Sequence, residues 1–426
     1  CLGNVWGGMF MCQPQEKKKE ISVAKVIRYN SVKYFYYLAK SKYWIVNCKL
    51  PRHILKKENH DYDLTSPALP EEVKKMFRHT IDTGIKHGTV TILYKNESYE
   101  VTTFRTESDY SDSRHPDKVE FIRSLDEDLK RRDFTINALA VDISTGEIID
   151  KNSGLSDLEK KTIRAIGDAK ERFKEDALRM LRACRFSSKL GFTIEDKTKK
   201  AILLLHENIK KVSIERVKEE LDKTLLSSYP SKGLRYAEET MLINEIIPSL
   251  TLSDSIYEAL DTSEEKKLPI SARYALLFSS LDNNEVRKIL KVFKSSNKET
   301  KEVLLIHSSL SFDITPNMSD KEIRLFIKKY GSALLSPIFE ANKILRNNNK
   351  ELLEAEKKIL DEVKRRPPLF ISDLAINGED LAPFIKKGPL MGACLNYLLD
   401  CVIEKPEINN KENLLDLAKE WLSLEI

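Results

Sequence analysis

The spacing of apolar residues changes once along this chain, near residue 157, and that change limits what the chain can fold into. Before it, "GTVTILYKNESYEVTTFR" (88–105) carries two β-rich runs separated by "KNES", which predicts a hairpin. Residues 22–60 read as a helix leading into a short apolar strand, "YWIV" (43–46). "DFTINALAVDIS" (133–144) predicts a further strand, with "TGEIID" turning into another. The polar stretch "TESDYSDSRHPDK" (106–118) has turn-forming composition and little to bury, and predicts a mobile loop. After residue 157 the period becomes helical. "ERFKEDALRMLRACRFSSKLG" places Phe173, Ala177, Leu178, Leu181 and Cys184 on one stripe and predicts a single helix stopped at Gly191. Ser213 opens "SIERVKEELDKTLL" with only a weak cap signal. An α/β head of about 150 residues and a helical remainder of about 270 follow from this pattern, with no fixed-period repeat.

A chain of 426 residues exceeds one compact core, so several domains are expected. Charged content of 32% and hydrophobic content of 41% describe a globular chain with no apolar run near the ~18–20 residues of a membrane span. The net charge of +5 permits a nucleic-acid partner without arguing for one. Six cysteines without C-x-x-C spacing predict neither disulfides nor zinc, and fit a reducing cytoplasm. The first residues lack the order of a signal peptide, and Met9 or Met11 is expected nearer the true start.

Chemistry concentrates in four segments. In "KENHDYDLTSPALPEEV" (57–73), Asp61 and Asp63 fall two apart, the spacing that puts two strand residues on one face. Carboxylates that close repel unless a cation joins them, so the pair reads either as a divalent-metal site or as a hydrated strand end. Glu100, in "YEVTTFR", reads as a third metal carboxylate or as an exposed strand residue. Arg131 and Arg132, in "LKRRDFTINALA", read as a phosphate-binding fork or as a solvated basic pair. Asp176, Arg179, Arg182 and Arg185 form a drifting polar stripe at helical spacing. That stripe reads as a surface ion-pair ladder or as a template for bases. An aspartate beside an arginine offers the acceptor and donor that complement cytosine and adenine but not guanine and uracil.

"HDYDLTSPALPEEV", "KHGTVT", the run from "YEVTTFR" to "RRDFTINALA" and "ERFKEDALRMLRACRF" resemble the class II tRNA nucleotidyltransferases, the CCA-adding enzymes of the poly(A) polymerase family. "SIERVKEEL" and "DLAINGEDLAPF" extend the resemblance across most of residues 43–415. It implies an α/β nucleotidyltransferase head with a small mixed β-sheet, followed by an extended all-helical neck, body and tail. The divisions expected are an irregular segment 1–21, head 22–150, neck with the nucleotide template 151–225, body 226–350 and tRNA-binding tail 351–426. It also implies addition of the 3′-terminal CCA of tRNA from CTP and ATP, with Mg2+ and release of pyrophosphate. Residue by residue, Asp61 and Asp63 match the family's metal ligands and Glu100 its third carboxylate. Arg132 matches a substrate-binding arginine, Asp176 and Arg179 the nucleotide template, and Arg182 and Arg185 further nucleotide contacts.

Two departures stand out. The family's G-G-x-V-R-D-like turn, which cradles the triphosphate, is "WIVNCKLPRHILKKENHDYD" here, with Asn47 and Cys48 at the diglycine and Pro51 at the arginine. Side chains there keep backbone amides from closing on phosphate. A poly(A) polymerase of the same family and an RNA-binding remnant with impaired catalysis are the alternatives. Some relatives carry a His-Asp phosphohydrolase pair after an "ALL" run; Phe278 and Ser279 stand there instead, and no hydrolase activity is expected.

Overall fold

A computed structural model describes residues 45–48, 62–85, 88–94, 97–108, 118–142, 147–347, 349–386 and 388–425. They divide into two compact units, the first ending at Glu175 and the second starting at Asp176.

The first unit is built on a seven-stranded mixed sheet. Its strands are β1 (Ile45–Cys48), β2 (Tyr62–Ser66), β3 (Thr80–Gly84), β4 (Thr89–Tyr94) and β5 (Glu97–Thr103). Strands β6 (Arg105–Ser108) and β7 (Lys118–Phe121) form a separate ribbon, and β8 (Leu139–Asp142) and β9 (Ile148–Asp150) return to the main sheet. The sheet order is β3-β4-β5-β2-β1-β8-β9, with β2 and β5 parallel. Alternation decides which face is buried: Val90, Ile92, Tyr99 and Val101 point inward and meet Leu64, Ala68 and Val73. Val73 comes from α1 (Pro70–Met76), which opens on a proline whose missing N–H costs nothing at a first helical position. Gly88 sits at φ +81°, where a side chain would meet the Phe121 ring at 2.7 Å. Only glycine fits that turn into β4.

Three expectations change here. The strand expected at 43–46 runs on to Cys48, and its register with β2 pairs Ile45 with Thr65 and Cys48 with Tyr62. The polar stretch 106–118, expected as a loop, begins and ends in strand, because its ends pair as β6 and β7. Phe104 donates its N–H to Ser66 O at 2.8 Å and accepts from Ile122 N–H at 2.9 Å, which holds the two stems side by side. The expected strand 133–144 is broken at its start. Asp133 accepts from Phe134 N–H at 2.8 Å and Asn137 Nδ2 at 3.0 Å, bending Thr135–Asn137 into a 3₁₀ turn before β8 begins. The helix expected before β1 and the connection 49–61 lie outside the described residues.

The first unit runs past residue 150, where the head was expected to end. Asp150 accepts from Gly154 N–H at 2.8 Å and Leu155 N–H at 2.9 Å, starting α3 (Gly154–Glu159). Buried Asp157 then takes the Thr135 hydroxyl at 2.7 Å, and Phe134 bridges Ala165. These bonds keep the chain in the first unit through α4 (Ala169–Glu175).

The second unit is mainly helical. It begins with α5 (Leu178–Leu190), α6 (Asp196–Leu205), α7 (Ile214–Leu225) and α8 (Pro230–Glu239). It continues through α9 (Leu242–Ile246), α10 (Asp254–Glu265), α11 (Ile270–Leu277), α12 (Asn283–Val292) and α13 (Asn297–Leu310) to a C-terminal group with its own core around Leu398, Val402 and Leu414. Phe278, at the expected phosphohydrolase position, is fully buried. No helix among the described residues is long and apolar enough to cross a membrane.

The helix expected to run from 171 to 190 is two helices. Asp176 stops the first by starting the second: its carboxylate accepts from Leu178 N–H and its carbonyl from Arg179 N–H, both at 3.0 Å. Gly191, at φ +71°, ends α5 as expected. Where α8 crosses α5, the contact is backbone to backbone. A Cβ on Gly233 would lie 2.0 Å from Ser188 Oγ and 2.4 Å from Cys184 O. Gly233→Ala is expected to lower stability by about 1–3 kcal/mol, the usual cost of overpacking, read from urea unfolding. Unchanged stability would show that the two helices are not locked at this crossing.

Candidate functional site

The register of β2 on β5 brings the acidic positions together. Asp63 is the Cα partner of Glu100, and the Thr65 hydroxyl donates to Thr102 O at 3.1 Å two rows along. Glu100 is exposed while its neighbour Val101 is buried, so Glu100 stands on the open face of the sheet. On the other side of β2, Asn47 of β1 is the partner of Asp63, and β1 ends at Cys48. Asp61 and the altered phosphate turn lie outside the described residues. Carboxylate oxygens supplied from adjacent strands are hard donors and suit a hard divalent cation.

Arg131 and Arg132 are not a free surface pair. Both converge on Asp128 of α2 (Leu125–Lys130), which is fully buried. Arg131 donates to Oδ1 through Nε at 3.0 Å and Nη2 at 2.7 Å; Arg132 donates to Oδ2 at 3.1 Å and to Asn137 O at 3.4 Å. Burial pushes the Asp128 carboxyl up, the two guanidinium charges outweigh it, and its pKa lies below the ordinary value. Arg132 stays partly open to solvent.

The polar stripe of α5 is divided between its two ends. At the N-terminal end, Asp176 accepts Arg216 Nη2 of α7 at 2.8 Å. The other terminal nitrogen of Arg216, Nη1, is buried without a hydrogen-bond partner. Arg179 is 8% exposed. At the other end, Arg185 pairs with Glu220 of α7, which also lies 3.5 Å from Arg182 Nη1. Both guanidinium groups lie over the Phe186 ring, Arg182 at 5.4 Å and Arg185 at 4.2 Å from its centre. The stripe therefore has partners on another helix. It is held from α7, by Arg216 and Glu220 one turn apart.

Reading the sequence missed Asp128, Arg216 and Glu220. Asp128 sits three and four residues before the arginine pair, the spacing at which a helical carboxylate meets them, so a signal was present. Arg216 and Glu220 lie 40 and 35 residues from their partners, and no local pattern reveals such a pairing. Among the described residues, His206, Glu207 and Glu245 are the group close enough to share a metal ion, their donor atoms within 4.8 Å. Lys210 already pairs with Glu245, so a cation occupies that carboxylate.

Comparison with known proteins places these parts in one family. Residues 44–164 match the model described as "Poly A polymerase head domain". Residues 191–253 match "Probable RNA and SrmB-binding site of polymerase A", and residues 263–418 match a "tRNA nucleotidyltransferase domain 2". The CCA-adding enzyme of Lactobacillus helveticus is 39% identical over 376 residues, spanning 88% of this chain and 89% of that one. The CCA-adding enzyme of Lactiplantibacillus plantarum is 40% identical over 375 residues, spanning 86% and 89%. The crystal structure of the Bacillus stearothermophilus CCA-adding enzyme in complex with CTP superposes with a TM-score of 0.77 at 30% identity, covering 93% of this chain and 98% of that one.

Two outcomes follow from the buried pairs. Glu220→Ala leaves Arg185 charged and buried, and is expected to cost about 3–5 kcal/mol in urea unfolding. A loss of about 1 kcal/mol or less would return the stripe to a surface ladder. Asp128 has a lowered folded pKa, so its contribution is complete above its unfolded value of about 3.9 and is lost as pH falls through the folded value. Asp128→Asn should be less stable than the parent at pH 7, and the gap should narrow below about pH 4. A gap independent of pH would show that the charge of Asp128 contributes nothing.

Proposed function

The chain belongs to the family of CCA-adding tRNA nucleotidyltransferases, and on that premise we propose that it rebuilds the 3′-terminal CCA of tRNA from CTP and ATP. The register of Asp63 beside Glu100 carries this reading. Asp61 and Asp63, with Glu100, hold a divalent cation, Mg2+ by its preference for a few carboxylates and phosphate oxygens. When bound, that ion supplies charge neutralisation at the triphosphate and at the attacking 3′ hydroxyl.

The remaining chemistry is recognition by the chain's own residues. Asp176 uses one carboxylate oxygen for Leu178 N–H and the other for Arg216. An ionised carboxylate has about four acceptor sites, so two are left for the exocyclic amino group of cytosine or adenine. Arg179 supplies the donor for cytosine N3 or adenine N1. Guanine and uracil present the opposite pattern and leave these groups unpaired, at a cost of roughly 1–3 kcal/mol each. Arg132, oriented by Asp128 and partly open to solvent, is the candidate for a phosphate contact. Arg182 is the more open of the two remaining arginines and the better candidate for a ribose or phosphate contact.

Asn47 and Cys48, in place of the family's diglycine, favour one second reading: a protein that binds tRNA and turns over poorly. Incubation of the purified protein with tRNA lacking its terminal CCA, with CTP and ATP separately and together, separates the possibilities. Growth by three residues that then stops supports CCA addition. Long A tails indicate a poly(A) polymerase, and binding without growth the remnant. If the protein adds CCA, Asp61→Ala and Asp63→Ala are each expected to abolish incorporation while tRNA affinity stays near the parent's, since phosphate contacts elsewhere dominate that affinity. Incorporation at the parent rate in either variant would remove these residues from the metal site.

A further inference from the structure

The segment from Asn283 to Lys301, spanning α12 and the start of α13, carries Arg287, Lys288, Lys291, Lys294, Lys298 and Lys301 against only Glu285 and Glu299. It therefore holds a net +4 in a chain whose formal total is +5. The charge is also directed. Val286, Leu290 and Phe293 bury the opposite side of α12 in the core, and all six basic residues are exposed. Arg287 and Lys291, four apart, share one face of α12 at helical spacing; Lys294 follows the end of that helix at φ +53°, and Lys298 and Lys301, three apart, lie in the first turns of α13. The two acidic residues do not cancel this face. Glu299 is taken by Lys218 of α7 at 2.9 Å, and Glu285 lies 3.5 Å from Lys288. Arg287, Lys291, Lys298 and Lys301 form no ion pair among the described residues.

One end of the face reaches the helix that supports the base template. Lys294 pairs with Glu215 at 2.6 Å, and the next residue, Arg216, holds Asp176 at 2.8 Å. Within α12, Lys291 and Arg287 lie about 6 Å apart along the axis at 1.5 Å per residue. Its composition selects the partner. Protein interfaces need apolar or aromatic anchors and are poor in lysine, whereas this face has a single exposed apolar residue, Val292. A membrane surface would need an apolar face to insert. A phosphate backbone needs neither, only cations repeated along a line.

We infer that Arg287, Lys291, Lys298 and Lys301 form a phosphate-backbone track, running away from the template end of α7, that holds the RNA whose 3′ end is extended. The inference rests on the reading of this chain as a tRNA-extending enzyme. It adds a binding surface in α12 and α13, outside the tail.

Binding of a fluorescent tRNA lacking CCA, measured across salt concentrations without nucleotides, tests it independently of turnover. The triple variant Arg287→Gln/Lys291→Gln/Lys298→Gln is expected to bind tRNA at least about tenfold more weakly at 0.1 M salt, and to lose about two to three from the slope of log affinity against log salt. Parent-like affinity and slope in the triple variant overturn the track. If the parent itself fails to bind tRNA, the proposed function falls and the track with it. A second measurement avoids substitution: tRNA should protect Lys291, Lys298 and Lys301 of the unaltered chain from an amine-acylating reagent. Protection by polyglutamate but not by tRNA would assign the face to an acidic protein and overturn the inference.

Discussion

A carboxylate cut off from water must be paired, and the second unit's functional helix depends on that constraint. Glu220 is buried on α7, and Arg185 of α5 is its partner. Replacing such a pair by apolar side chains is often neutral for stability, so stability is not what the pair uniquely supplies. It supplies position. With Arg216 holding Asp176 one turn earlier, α5 is tied to α7 at both ends and can neither rotate nor slide without exposing a buried charge. The same device recurs where Asp128 gathers Arg131 and Arg132, and where Glu362 gathers Arg324 and Arg365. In each case the arginine is oriented by a carboxylate that water does not reach.

Gly233 belongs to the same constraint, where α8 crosses α5. A helix fixed by ion pairs on one face still needs a close support on another, and α8 approaches until its backbone meets Cys184 O. A side chain there would force α5 and α8 apart, against the pairs that hold α5 in place. Packing and electrostatics thus act on one helix, and neither alone accounts for its placement.

The local elements were legible because their signals are local. Alternating β-branched residues gave the β4–β5 hairpin, and Gly191 gave the end of α5. What the sequence did not disclose were pairings between distant segments. The parallel register that sets Asp63 beside Glu100 joins strands 37 residues apart, with β3 and β4 between them in the chain. A stripe of arginines at helical spacing looks the same whether its partners lie on its own helix or on another. The break at Asp176 was hidden for a related reason. Apolar spacing continues through it, and aspartate is tolerated within helices, so only the hydrogen bond to Leu178 N–H reveals a new helix start.

On the proposed reading of Asp176 and Arg179 as the base template, a template tied this firmly has a consequence for serving two bases. Cytosine and adenine share the donor–acceptor edge that Asp176 and Arg179 complement, but adenine is larger. One way to serve both is for the template to move with the base. Asp176 is held by its own helix through Leu178 N–H and by α7 through Arg216, while Arg185 is anchored below. Moving the template would break a buried ion pair, a cost above the difference in stacking or fit between two bases. On that reading the edge is met in one fixed place. The difference in size has to be absorbed by whatever surrounds the rest of the base, not by the residues that identify it.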